Sequence, residues 1–177
     1  MHTLRKIEAT SAGDLSEHFS RAEFACHCCG QLKVDNALIP ALEQLRALAT
    51  QLAGEEKPII VHDAYRCSAH NQQVGGVPNS EHTLGLAADI SIPGLPMQQM
   101  YELALQIPTF FNGGIGVYDS DFLHVDTRAR QARWARVSGK YVAIHALVTT
   151  PPALLARLQS NGPATTDPGN PPGSKPA

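Results

Sequence analysis

The segment from Ser80 to Asp89 constrains this fold more than any other, and it reads SEHTLGLAAD. A further histidine, His124, lies in a second polar segment later in the chain. Two imidazoles and one carboxylate form a suitable ligand set for Zn²⁺ and leave the fourth tetrahedral position for water. Gly85 and the small alanines after it allow a tight turn, so that His82 and Asp89 can approach one ion. A zinc site of this kind requires a fold that brings His82, Asp89 and His124 to a single point.

The second polar segment, FLHVD at 122–126, has the composition and alternation of a β-strand. His124 and Asp126 lie two residues apart, so a strand places both on one face together with Phe122. The intervening apolar residues then face the opposite side. The pattern predicts a metal ligand with a carboxylate beside it.

Helices and strands are predicted to alternate along most of the chain. The S-x-x-E pattern at 20–23 marks a helix start. Apolar residues at a 3.6-residue period predict a helix over 37–52, capped by Asp35-Asn36, and another helix is expected over 96–107. Predicted strands cover 58–61, which reads as buried, and 87–92, 113–118 and 122–126. Such an order predicts an α+β domain, with a small antiparallel sheet and flanking helices.

Composition predicts one domain with two appendages. The 177 residues fit a single domain over 15–148, preceded by an N-terminal extension over 1–14. The tail over 149–177 is rich in Pro and Gly, and we expect it to be disordered after residue 160. The net charge of −2 and the lack of a basic run argue against nucleic acid as a partner.

The N-terminal sequence and the overall hydropathy pattern bear on location. No apolar stretch follows Arg5 and Lys6, so we expect synthesis in the cytoplasm without a signal peptide. No run approaches the ~20 apolar residues of a membrane helix, so no membrane association is expected. We also expect a monomer.

The four cysteines are clustered in an unusual way. Cys26, Cys28 and Cys29 lie within four residues, and Cys67 is distant in sequence. Cys26 and Cys29 make one C-x-x-C pair, but the second pair of an ordinary structural zinc site is missing. Both a structural disulfide from the cluster to Cys67 and a second metal site fit this spacing.

Several motifs together carry a resemblance to a known family. The string S-x-H-x-x-G-x-A-x-D at 80–89, the later H-V-D at 124–126 and the upstream Tyr65-Arg66 resemble the D-Ala-D-Ala carboxypeptidase family of zinc peptidases. That family also includes peptidoglycan endopeptidases of bacteria and phages. The likeness covers about residues 15 to 136 and includes Gly113 to Gly116 and Trp134. It implies the D-Ala-D-Ala carboxypeptidase fold, which is also the hedgehog-like zinc peptidase fold.

The resemblance implies a function and a set of roles. It implies that Zn²⁺ is the cofactor, that His82, Asp89 and His124 hold it, and that Arg66 grips a substrate carboxylate or carbonyl. Tyr65 and Ser80 are expected to line the site or orient a ligand. The substrate would be a peptidoglycan stem peptide, cut at or near D-amino acids by a carboxypeptidase or an endolysin-like endopeptidase in the cell wall or periplasm. The alternative is a catalytically silent, zinc-containing module that binds the wall or has a structural role.

Two carboxylates compete for the role of general base. Many members of the resembling family place a catalytic Glu three residues before the last histidine, and this chain has Asp121 there. Strand geometry points instead to Asp126, which shares the face of His124. We favour Asp121, because the family position keeps a carboxylate and a turn can fold back over a metal. Asp126 is then expected to support His124 from behind.

Overall fold

The computed structural model describes residues 13–149. The predicted N-terminal extension therefore lies outside the described residues except for Gly13 and Asp14, and the predicted tail lies outside them except for Thr149. Within this range, no helix combines the length and the apolar character that a bilayer crossing requires.

The helices of the described range are short apart from the second. They are α1 (Arg21–Phe24), α2 (Leu38–Ala53), α3 (Ser68–Gln73), α4 (Glu81–Leu84), α5 (Met97–Ala104) and α6 (Pro108–Asn112), with a 3-10 turn at Ile144–Ala146. The start of α1 is the one predicted from its sequence, because the Glu23 carboxylate accepts hydrogen bonds from the backbone N–H and the hydroxyl of Ser20, both at 2.7 Å.

Helix α2 confirms the long amphipathic helix that the apolar period predicts, but its cap differs. The N-cap is Ala37, one residue after the predicted Asp35-Asn36 cap. Asp35 still supports the entry to the helix, because its Oδ1 accepts a hydrogen bond from the backbone N–H of Ala37 at 3.0 Å. Residues on one side of α2 are almost completely buried: Leu38, Ala41, Leu42, Leu45 and Ala49.

A six-stranded sheet in the order β1-β2-β4-β3-β5-β6 forms the centre of the domain. Its strands are β1 (Ile60–Asp63), β2 (Ala87–Ser91), β3 (Gly114–Tyr118), β4 (Leu123–Asp126), β5 (Ala132–Val137) and β6 (Lys140–Val142). All neighbours pair antiparallel except β3 and β5, which run parallel. The predicted α+β class with its helix-flanked sheet is confirmed.

The two faces of the central strands have different chemistry. Ile90, Leu123 and Val125 are fully buried and belong to the hydrophobic core, in which α5 and α6 pack on β3 and β4 and α2 packs on α5 and α6. Because side chains alternate along a strand, Asp89 on β2 and His124 on β4 lie on the other face. One face of the central strands therefore packs on the apolar core, and the opposite face is polar.

Three elements differ from the sequence prediction. The first strand begins two residues later than predicted, at Ile60. It is half exposed and not buried as predicted, because it is an edge strand of the sheet; Ile60 itself is 44% exposed. The helix predicted over 96–107 ends at Ala104, and a separate helix begins at Pro108, where proline suits the first turn. Strands β5 and β6 have no counterpart in the prediction.

Candidate metal centre

The backbone brings His82, Asp89 and His124 together from three elements. Asp89 and His124 are directly opposite each other in the antiparallel pairing of β2 with β4. His82 lies in the single turn of α4, just before β2. That turn ends at Gly85, which has a φ of 75°, and a Cβ there would lie only 2.5 Å from the carbonyl oxygen of Lys33. Glycine is therefore required for the chain to leave α4 and enter β2.

Three atoms with available electron pairs meet at this point. His124 Nδ1 lies 2.9 Å from Asp89 Oδ1 and 3.1 Å from His82 Nε2, and His82 Nε2 lies 3.3 Å from Asp89 Oδ1. Ligands about 2.0–2.1 Å from a tetrahedral zinc ion are separated from one another by roughly 3.3 Å. The spacing of these three atoms therefore fits a Zn²⁺ site.

Hydrogen bonds on the far side of each ring select the nitrogen that faces the site. His82 Nδ1 lies 2.6 Å from the carbonyl oxygen of Ala64, which can only accept, so Nδ1 carries the proton and Nε2 is free. His124 Nε2 lies 3.0 Å from Asp126 Oδ2, so this nitrogen donates and Nδ1 is free. The free nitrogens face the Asp89 carboxylate, and such a convergence of electron pairs needs a cation, either protons or a metal ion.

Asp126 is fixed in a closed pocket beneath His124. Its carboxylate is fully buried and accepts hydrogen bonds from the Arg128 guanidinium and from the backbone N–H of Gly114 at 2.8 Å. A Cβ on residue 114 would lie 2.1 Å from Asp126 Oδ2, so only glycine leaves room for the carboxylate. Burial alone would raise the pKa of Asp126, but the hydrogen bonds from His124 and Arg128 outweigh it and lower the pKa below its usual range.

Asp89 has a cationic neighbour, Arg66, in addition to the two histidines. Arg66 Nη2 lies 3.6 Å from Asp89 Oδ2, and Arg66 Nε lies 3.1 Å from Asp63 Oδ2. Burial would raise the pKa of Asp89, but in the metal-free protein attraction to His82 and a hydrogen bond from a proton on His124 Nδ1 hold it well below its ordinary value. Burial would lower the pKa of His124, but its hydrogen bonds with Asp126 and Asp89 raise it. Asp89 is therefore an anion, available as a ligand.

A cleft of about 250 Å³ opens above these three residues. Its walls combine aromatic and cationic side chains, among them Tyr118, Trp134, Arg128 and Arg136. Arg136 is exposed, and its guanidinium carbon lies 5.6 Å from the centre of the Tyr141 ring. Such a lining suits a substrate that has both a peptide backbone and carboxylate groups.

The other residues predicted for the site fall into two groups. Arg66 and Ser80 line the cleft, and Ser80 is the N-cap of α4. Tyr65 is 4% exposed and is not among the cleft-lining residues of the described range; its ring lies 5.3 Å from Lys33 Nζ. Asp121 is exposed in the turn between β3 and β4 with a φ of 63°, and it too lies outside that lining. The residues on either side of the turn, Tyr118 and Phe122, do line the cleft.

Sequence reasoning missed several cleft residues. Tyr118 and Arg136 are opposite each other in the parallel pairing of β3 with β5, and β5 was not predicted. Glu81 precedes His82, lines the cleft and lies 3.4 Å from Arg128 Nε. Asp63 on β1 is paired with Asp89 on β2. The sequence ARWARV at 132–137 does not alternate between apolar and polar residues, so periodicity gave no signal for β5.

The four cysteines form a second cluster, away from the cleft lining. All four are free, and their sulfur atoms lie within 4.8 Å of one another. The structure thus brings Cys67 to Cys26, Cys28 and Cys29, as both readings of the sequence required. It contains no disulfide among these residues.

Comparison with known proteins agrees with this geometry. A family model described as Peptidase M15 matches residues 17–126, which is more than half of the chain. The matched stretch includes all three converging residues and ends at Asp126. No curated protein matches the chain. With this match and a histidine–aspartate centre suited to zinc, the chain belongs to the M15 family of zinc-dependent, D-Ala-D-Ala carboxypeptidase-like peptidases.

Proposed function

We propose that this metallopeptidase hydrolyses peptide bonds in peptidoglycan stem peptides, at or near D-amino acids. The observation that carries the proposal is the convergence of His82 Nε2, His124 Nδ1 and Asp89 Oδ1 beneath a cleft with arginine side chains in its walls. Family membership supports the peptidase chemistry. The identity of the substrate rests on the resemblance and on the chemistry of the cleft.

The residues of the chain would hold the metal in a defined orientation. His82 is oriented by the Ala64 carbonyl, His124 by the Asp126 carboxylate, and Asp89 by Arg66. Zn²⁺ in this site would supply Lewis-acid activation of a water molecule and of the scissile carbonyl. Because these partners already hold the three side chains in place, the ligand atoms need little rearrangement when the metal binds.

Asp121 is the residue we propose for proton transfer. It is three residues before His124, and its turn joins the cleft residues Tyr118 and Phe122. Asp121 is exposed, and we propose that its turn folds over the metal, so that the carboxylate takes the proton of the attacking water and passes it to the leaving amine. Asp126 is unsuited to this role, because its oxygens already accept hydrogen bonds from His124, Gly114 and Arg128.

The arginines of the cleft would recognise the carboxylates of a stem peptide. Arg66 forms ion pairs with Asp63 and Asp89 and so helps to position Asp89; because it also lines the cleft, it remains the residue that we propose grips a substrate carboxylate or carbonyl. Arg136 is exposed at the rim, its guanidinium carbon lies 5.6 Å from the centre of the Tyr141 ring, and its Nε donates to the carbonyl oxygen of Gly139 at 3.3 Å. Its Nη groups are therefore the donors that we propose bind a ligand. A guanidinium binds a carboxylate through two parallel hydrogen bonds, and this geometry favours a peptide with a free carboxylate near the cut.

Digestion of purified peptidoglycan, followed by mass spectrometry of the released muropeptides, tests this function. We expect the zinc-loaded protein to shorten stem peptides at bonds that involve D-amino acids, and the position of the cut distinguishes a carboxypeptidase from an endopeptidase. His124→Ala should release nothing, and His145→Ala, an exposed histidine outside the cleft, should behave as the wild type. A zinc-loaded wild type that leaves every stem intact would contradict the proposal and favour a silent, wall-binding module.

A further inference from the structure

The cysteine cluster is built from two distant segments that meet at one point. Cys28 Sγ lies 3.6 Å from Cys26 Sγ and 3.3 Å from Cys67 Sγ, and all four sulfur atoms, including that of Cys29, lie within 4.8 Å of one another. The first segment follows α1, and Cys67 is the N-cap of α3 just after β1. A backbone hydrogen bond of 3.2 Å from Tyr65 N–H to the carbonyl of Phe24 holds the two segments together.

A tight turn aims the first three thiols at the same point. The backbone N–H groups of Cys29 and Gly30 both donate to the carbonyl of Cys26, at 3.3 and 2.8 Å, and Cys26 N–H donates to the carbonyl of Gln31 at 2.8 Å. Because the chain folds back on itself, side chains that are adjacent in sequence converge instead of pointing apart. The turn therefore supplies three sulfur atoms, and Cys67 supplies the fourth.

Hydrogen-bond donors surround the sulfur atoms. Cys26 Sγ accepts from the backbone N–H of Cys67 at 3.3 Å, and Cys67 Sγ accepts from the backbone N–H of His70 at 3.4 Å. His70 Nδ1 lies 3.5 Å from Cys26 Sγ. Donors of this kind stabilise thiolates, which are the form in which cysteine binds metals, and they are the usual outer partners of a metal ligand.

We propose that Cys26, Cys28, Cys29 and Cys67 bind a second Zn²⁺ ion in a tetrahedral four-thiolate site, separate from the histidine–aspartate centre. A Zn–S bond of about 2.3 Å separates neighbouring sulfurs by roughly 3.8 Å, which lies within the spread of the distances in this cluster. Soft thiolate ligands in a tetrahedral set select zinc over magnesium or calcium. A disulfide would use only two of the four convergent thiols.

The site is structural, because four protein ligands leave no position for water or substrate. Its effect is to clamp the turn after α1 to the start of α3. Cys67 directly follows Arg66, whose guanidinium reaches Asp89 Oδ2 at 3.6 Å. The second ion would therefore fix the backbone next to a residue that orients a ligand of the first. This inference does not depend on the substrate proposed above.

Metal content and cobalt spectroscopy of the full chain test the proposal. We expect about two zinc ions per chain in protein produced with excess zinc. Cys29→Ser, which changes an exposed ligand, should lose one ion and keep the other, whereas His82→Ala should keep the cysteine-bound ion. In Co²⁺-substituted wild type, a strong thiolate-to-cobalt charge-transfer band should appear. That band should persist in His82→Ala and weaken sharply in Cys29→Ser.

Two measurements on the wild type test the cysteine site even if Cys29→Ser does not fold. Titration of the denatured, unreduced wild type should find all four thiols free, and its cobalt form should show the charge-transfer band. Two missing thiols would identify a disulfide and overturn the site. The proposal would also be overturned by iron in place of zinc, by a cobalt form without the band, or by a folded Cys29→Ser with the wild-type zinc content.

Discussion

His124 Nε2 lies 3.0 Å from Asp126 Oδ2, and this contact decides which nitrogen of the ring faces the metal centre. The Asp126 carboxylate is itself held by Arg128 and by the backbone N–H of Gly114. An anion that is buried and hydrogen-bonded in this way is a fixed acceptor, so His124 Nδ1 is left free to bind a metal ion. The fully buried acid of β4 is therefore a positioning residue.

Asp126→Asn is expected to weaken zinc binding. The amide cannot replace the anionic acceptor of His124, and losses of about 10–100-fold in metal affinity are typical when such a partner is removed. Competition with a chelator of known affinity measures the effect. Asp121→Asn is the matched control, because it makes the same chemical change at an exposed position and should leave zinc affinity unchanged. Equal affinities in the two variants would contradict the positioning role of Asp126.

Asp121→Asn is expected to slow hydrolysis while zinc stays bound. Removal of a general base typically costs about 10²–10⁴-fold in rate, and kcat should fall by that order. Glu81→Gln tests an acid that lines the cleft; Glu81 Oε1 lies 3.4 Å from Arg128 Nε, and we expect it to contribute little to proton transfer. If Glu81→Gln were inactive with zinc bound and Asp121→Asn were near normal, the base would be Glu81.

Arg136→Ala is expected to impair substrate binding more than turnover. A hydrogen bond to a charged group is worth about 1.5–3 kcal/mol, and the lower value fits an exposed side chain, so KM should rise about tenfold. Arg130→Ala, an exposed arginine outside the cleft, is the control. The increase should disappear when the substrate carboxylate is amidated. If the increase in KM were the same with the amidated substrate, Arg136 would not recognise a carboxylate.

The metal-free protein should become less stable as the pH rises. The pKa of His124 is raised in the folded state above the ordinary value of a histidine, because hydrogen bonds with Asp126 and Asp89 outweigh burial. A raised pKa contributes stability that is complete below the unfolded pKa and is lost as the pH passes through the folded pKa. Thermal unfolding of chelator-treated protein from neutral to mildly alkaline pH measures this loss. His124→Gln should lack that component of the pH dependence.

Local patterns made part of the site predictable from sequence. His82, Gly85 and Asp89 belong to one short segment, so a turn followed by a strand was sufficient to place the first two ligands near each other. The period of a strand also put His124 and Asp126 on one face. The structure confirms that alternation, because Leu123 and Val125 belong to the hydrophobic core whereas the side chains of His124 and Asp126 contact each other.

Contacts between residues that are distant in the chain could not be predicted from the sequence. The role of Asp126 depends on the return of the Arg128 guanidinium and on the approach of Gly114 from β3, which no periodicity reveals. Arg136 reaches the cleft only because β5 pairs parallel with β3, from which it is separated in sequence by β4. The convergence of Cys67 with the distant cysteine turn depends likewise on tertiary packing around β1.

Anomalous X-ray scattering at the zinc edge tests the central claim most directly, because it locates the ion in crystals of the zinc-loaded protein. We expect a peak about 2.0–2.2 Å from His82 Nε2, His124 Nδ1 and one oxygen of Asp89. Crystals of zinc-loaded His124→Ala should lack that peak. Crystals of the control, His145→Ala, should show it. A zinc-saturated wild type with no peak between these three residues would contradict the assignment of His82, Asp89 and His124 as the ligands of the peptidase zinc.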